Sequence, residues 1–165
     1  MTKRVVVQVA ITLAVLSCID HAAANDGWIR LLEDQVKEQG WRDVSPTRFL
    51  SANLDIDGDG KKDVAAIVVS RDSKKSAVRI CFGDVTRRPQ CHVVAESENI
   101  SDVMGLERKG PGCYAYREDA SGNLSRGEKI CGRADLLEYF KFGSASSFFL
   151  YKDRSRKFER YWDSD

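Results

Sequence analysis

The sequence predicts an α+β domain: an N-terminal helix packed on a mainly antiparallel β-sheet or small sandwich, stapled by two hairpin disulfides. Three observations carry this prediction. One helical periodicity occurs near the N-terminus and none follows it. After it come short runs rich in Val, Ile, Phe and Tyr, each bounded by turn residues. Four cysteines fall at spacings that suit hairpin pairs. The length of 165 residues suits one domain with a proper core, and 42% apolar with 31% charged residues excludes wholesale disorder or a collagen-like chain.

Residues 1–24 read as a secretory signal. Lys3 and Arg4 supply the charged start, Val5 to Ser17 the apolar run, and Ala22-Ala23-Ala24 a small-residue cleavage site. The run is too short for a spanning helix, which needs about 20 residues, and no later stretch is longer, so no transmembrane segment is expected. Val15-Leu16-Ser17-Cys18 also fits a lipoprotein box, with Cys18 as a possible lipid anchor and an outer-membrane or surface address. Cleavage instead leaves residues 25–165 as a single periplasmic or secreted domain. Lys plus Arg total 26 and Asp plus Glu 25; the leader holds two of the former and one of the latter, so the mature domain is formally neutral. That balance lacks the basic field that nucleic-acid binding normally requires.

Trp28, Leu31, Leu32, Gln35, Val36 and Gln39 recur at helical spacing, with Asn25 and Asp26 as caps and Gly40 at the far end, which predicts a helix over 26–39. Strands are predicted at 48–53, 63–70, 76–83, 90–95, 112–118, 128–132, 134–142, 146–152 and 157–162. Cys81 and Cys91 flank Thr86 symmetrically, and Cys113 and Cys131 flank Gly122, so each pair can face across a hairpin. Of the three possible connectivities, 81–91 with 113–131 is the one expected; a redox pair is the functional alternative. Nine aromatics crowd between Tyr139 and Trp162, and Phe140, Phe142, Phe148, Leu150, Phe158 and Trp162 share strand parity within their segments. A packed sheet face is the expectation, with a carbohydrate or partner platform as the alternative.

The chemistry lies in Asp55-Ile56-Asp57-Gly58-Asp59-Gly60-Lys61-Lys62-Asp63, followed by the apolar run Val64 to Val69. Four carboxylates in one tight loop repel one another unless a cation lies between them, and hard oxygen donors suit calcium. Gly60 permits the bend that turns the Lys61 carbonyl towards the ion. An EF-hand would need a bidentate Glu where Ala66 stands, and a helix on each side.

Asp55 to Val69 resembles the calcium loop of the FG-GAP repeats of integrin alpha-chain propellers and bacterial surface proteins. The resemblance covers about residues 49–83. It implies ligation of calcium by the side chains of Asp55, Asp57, Asp59 and Asp63 with the carbonyl of Lys61. No second such unit occurs, so a full propeller is not expected. The ending from Asp135 to Asp165 is similar to that of small exported bacterial proteins carrying one such loop. Outside the cytosol such a site stays filled, so a structural rather than regulatory ion is expected.

His21 leaves with the leader and His92 is the sole remaining histidine, so His-based zinc sites are excluded, and no nucleophile elbow, P-loop or dinucleotide fingerprint occurs. The expected function is a non-catalytic calcium-binding protein-interaction module, such as an envelope hydrolase inhibitor or immunity protein. Its partner would be another protein (a hydrolase or toxin) or an envelope polymer. The alternatives are a glycan or peptidoglycan hydrolase using a pair among Glu96, Glu98, Glu107 and Glu138, and a lipid-anchored structural envelope protein.

Overall fold

The computed structural model describes residues 27–31, 40–42, 47–72, 74–83, 90–98 and 103–164. The signal segment and Cys18 lie outside the described residues.

Among the described residues there are eleven strands: β1 (Trp28–Arg30), β2 (Ser51–Leu54), β3 (Asp63–Ser70), β4 (Lys75–Cys81), β5 (Cys91–Glu98), β6 (Met104–Lys109), β7 (Gly112–Ala115), β8 (Lys129–Gly132), β9 (Leu136–Lys141), β10 (Ser146–Lys152) and β11 (Lys157–Ser164). The first sheet runs β1-β3-β4-β5, with β2 also paired to β3; the second runs β11-β10-β9-β6; β7 and β8 form a separate hairpin. Every pairing between these strands is antiparallel.

The expected α+β class is overturned: the fold is an all-β sandwich. Trp28–Arg30, inside the predicted 26–39 helix, pairs with Ser70–Val68, while residues 32–39 lie outside the described ones. β2 covers only the Asp63–Ala66 half of one edge of β3, and β1 takes the remainder. Satisfying those edge groups and burying Leu31 at 7% exposure outweighs a weak helical preference. Among the described residues the one helical segment is the 3-10 turn Gly40–Arg42.

The two sheets enclose the main core. Leu54, Ile67, Val78 and Ile80 from the first, with Ile56 from the loop after β2, meet Leu106, Leu137, Tyr139 and Phe149 from the second. The β7–β8 hairpin covers the second sheet's other face, where Ile130 packs with Leu136, Phe148 and Leu150. That sheet is therefore apolar on both sides, which is why Ser146–Lys152 reads as a nearly continuous buried run. The shared parity expected of the aromatics does not place them on one face. Phe148 stands opposite Tyr161 and Tyr151 opposite Phe158, so even positions of β10 share a face with odd positions of β11. Phe148 and Leu150 accordingly join the hairpin core, and Phe158 the inter-sheet core.

Both expected disulfides form, Cys81–Cys91 and Cys113–Cys131, each between residues directly opposite in a ladder. They point to an oxidising compartment, extracellular or periplasmic. Among the described residues no helix is long and apolar enough to cross a membrane.

Candidate metal centre

The acidic loop is the connection between β2 and β3. Leu54 and Asp63 are the last paired residues, so Asp55 to Lys62 must turn back within the hairpin end. Ile56 anchors the turn from inside: its side chain is 1% exposed in the inter-sheet core, and its N–H donates to Asp63 Oδ2 at 2.8 Å. Gly58 and Gly60 take φ values of +75° and +80°, which any residue with a Cβ resists.

Asp55, Asp57 and Asp63 converge, each offering a carboxylate oxygen within 4.8 Å of the others. Asp63 is 1% exposed, and its Oδ1 accepts the Gly83 N–H at 2.8 Å. Asp55 Oδ2 accepts the Gly60 N–H at 3.1 Å, whereas its Oδ1 is buried with no hydrogen-bond partner. Asp57 Oδ1 accepts the Asp59 N–H. Burial pushes the Asp57 carboxyl up, and the charges of Asp63, Asp59 and Asp55 push it further against the opposing Asp59 N–H bond. Burial likewise raises Asp63, aided by Asp59 and Asp55 and opposed by the N–H groups of Gly83 and Ile56. Two carboxylates that burial and their neighbours' charges push up, Asp57 and Asp63, beside Asp55 with its one buried oxygen unbonded, form a donor set that a hard cation would complete.

Asp59 stands outside that trio. Its carboxylate binds the Lys61 ammonium at 2.9 Å and the Lys61 N–H at 2.8 Å, and the ammonium bond holds its carboxyl below the usual range. Lys61 is exposed on this turn.

Two contributors escaped the sequence reading. Asp135, in the β8–β9 turn and 3% exposed, accepts the Asp55 N–H on Oδ2 at 2.8 Å and donates its own N–H to the Asp55 carbonyl at 3.0 Å. Arg108 Nε reaches the same Oδ2 at 2.8 Å. This tie carries the loop from the first sheet onto the second. Nothing in the local sequence distinguishes Asp135 from a solvated turn residue. Gly83 is the other, and its bare Cα is needed because a Cβ there would stand 2.9 Å from that of Lys61.

The remaining candidate acids are engaged elsewhere. Glu107 and Glu138 are opposed across β6 and β9, and Lys109 Nζ lies 2.9 Å from a carboxylate oxygen of each. Glu96 lies 4.0 Å from Lys75 Nζ, and Glu98 is an exposed residue at the end of β5. His92 packs between Phe82 and Phe158 with its Nε2 buried and unbonded. No family model, curated protein or solved structure matches this chain.

Proposed function

We propose that this is an exported, non-catalytic binding module whose β2–β3 loop takes up one calcium ion through Asp55, Asp57 and Asp63, the ion serving to lock the sandwich. The observation that carries the reading is the convergence of those three carboxylates around a buried Asp55 oxygen that nothing else satisfies. Asp59 and the Lys61 carbonyl complete the ligand set implied by the FG-GAP resemblance if the ion displaces the Asp59–Lys61 ion pair, which is exposed and therefore cheap to open. A binding role is favoured over glycan hydrolysis because Lys109 occupies the space between Glu107 and Glu138, where a scissile bond would have to lie. Within that role, inhibition of an envelope hydrolase or toxin is the narrower reading.

Extracellular modules hold calcium at about 10⁻⁴–10⁻³ M. At a Kd of about 0.1 mM, 1 mM calcium stabilises the folded state by about 1.4 kcal/mol, a rise in Tm of about 3–6 °C. Melting the mature protein in 1 mM calcium and in chelator should show that rise, and Asp57→Ala should abolish it. Superimposable melts would remove the ion from the function.

A further inference from the structure

Two backbone donors set the orientation of the Asp63 carboxylate, and one of them comes from outside the acidic loop. Ile56 N–H holds Oδ2 from within the loop, whereas Gly83 N–H holds Oδ1 at 2.8 Å from the segment after β4. Gly83 also lies against the loop itself: a Cβ built on it would stand 2.9 Å from the Lys61 Cβ and 3.5 Å from the Lys62 carbonyl oxygen. The end of β4 is therefore one wall of the candidate metal centre.

That wall is fastened at Cys81. In its sheet Cys81 pairs on one side with Val64, the residue after Asp63, and on the other with Cys91, to which the disulfide joins it. Past the bridge the ladder ends in one hydrogen bond, from Phe82 N–H to the Gln90 carbonyl at 3.0 Å, and Gly83 follows at once. A terminal bond of this kind opens easily. The Phe82 ring packs on Tyr151 and Phe158, which restrains the side chain, but the peptide plane carrying the Gly83 N–H can still turn. With the bridge closed the two strands cannot part beside that last bond, so the Gly83 donor keeps its aim at Asp63.

Outer groups that orient a metal ligand are worth about 10–100-fold in metal affinity. We propose that the Cys81–Cys91 bridge is a positioning pair for the calcium site, so that the loop gains its full calcium affinity only once this disulfide has closed. The proposal rests on the calcium reading and adds an order of events to it. Closure passes two electrons and two protons from the thiols of Cys81 and Cys91 to a disulfide oxidant, which leaves as a dithiol. Oxidation comes first and ion loading second. The coupling is reciprocal: the factor that the bridge adds to calcium affinity is the factor that calcium adds to the bridge's resistance to reduction.

Calorimetric titration of the full mature protein with calcium tests it, beside Cys81→Ser/Cys91→Ser and Gly105→Ala, a comparator destabilised at the Phe140 ring rather than at the loop. Measured where all three are folded, the double variant should bind calcium about tenfold more weakly, and Gly105→Ala as tightly as the parent. In the parent, calcium saturating both redox forms should make Cys81–Cys91 about tenfold harder to reduce in dithiothreitol buffers, or about 30 mV, read by alkylation and peptide mass. This second measurement needs no variant to fold. Equal affinity in the parent and the double variant, equal weakening in Gly105→Ala, or a reduction midpoint that calcium does not move would overturn the proposal and leave the calcium reading standing. A parent that binds no calcium would overturn both, with the fault in the calcium reading.

Discussion

Asp63 and Asp57 sit six residues apart in one loop but do different work. Asp63 accepts two backbone N–H groups from within the protein, whereas the hydrogen bond to Asp57 comes from the exposed turn at Asp59. Asp63→Ala would leave the Ile56 and Gly83 donors without their acceptor, at about 1–3 kcal/mol each. Urea unfolding in chelator should therefore show a loss of about 2–5 kcal/mol for Asp63→Ala. Asp57→Ala removes a carboxylate that repels its neighbours and should change stability by under about 1 kcal/mol. Equal losses for the two would contradict this division of roles. Asp119 is one of the residues that make the fold acid-sensitive. Asp119 accepts the N–H groups of Asn123 and Ser121 and the Asn123 side-chain amide, and these bonds hold its carboxyl below the usual range, the Asn123 N–H foremost. Its folded pKa is depressed, so its contribution is present above the unfolded value near 3.8 and fades as pH falls through the folded one. Tm measured from pH 5 to pH 2 should fall less steeply in Asp119→Asn than in the parent.

Hairpins are the elements whose pairing the residues announce most clearly. Cys81 stands directly opposite Cys91 in the β4–β5 ladder and Cys113 opposite Cys131 in the β7–β8 ladder, as their symmetric spacing in the sequence predicts. With sequence separations of 10 and 18, loop-closure entropy gives each bridge about 3 kcal/mol. Removing either pair by Cys→Ser should lower the unfolding free energy by about 2–4 kcal/mol, read from denaturant melts. A loss below 1 kcal/mol would show that the loops are already closed by other contacts. The β3 span was legible to the residue because Val64 to Val69 is an uninterrupted apolar run between Asp63 and the Asp72 turn. β6 was not legible. Met104-Gly105-Leu106-Glu107-Arg108-Lys109 contains no β-branched residue and three charges, and it is a strand because Met104 and Leu106 face the core while β9 supplies the ladder. Gly105 in its centre lies under the Phe140 ring, into which any Cβ would drive. Gly105→Ala should cost about 1–3 kcal/mol by overpacking.

At the scale of the whole molecule the sandwich is tied at the acidic loop, and that tie was the least legible part of the site. The clustering of Asp55, Asp57 and Asp63 could be read from spacing because they share one turn, although the spacing also named Asp59 and Lys61, which pair with each other instead. Asp135 lies 80 residues from Asp55 in sequence, and only the approach of the β8–β9 turn to the β2–β3 loop gives its carboxylate a partner. The N-terminal segment was misread for a related reason: its strand exists only because the edge of β3 is otherwise half uncovered. Both are products of tertiary pairing, which local periodicity does not encode. The tie has an energetic consequence. Asp135 fixes the Asp55 backbone in both directions, with its carboxylate on the N–H and its own N–H on the carbonyl, and Arg108 holds that carboxylate from the second sheet. If calcium binds the loop, sheet packing and ion binding must stabilise each other, because the ion needs Asp55 where Asp135 puts it. In Asp135→Asn the Asp55 N–H keeps an oxygen acceptor, while the ion pair with Arg108 is lost. Calcium affinity should then fall about tenfold, and the calcium-dependent rise in Tm should shrink well below that of the parent. Arg108→Gln, altering a side chain that is 57% exposed, should produce a smaller change in the same direction. An unchanged calcium shift in Asp135→Asn, with ordinary calcium binding in the parent, would show that the loop holds its ion without help from the second sheet.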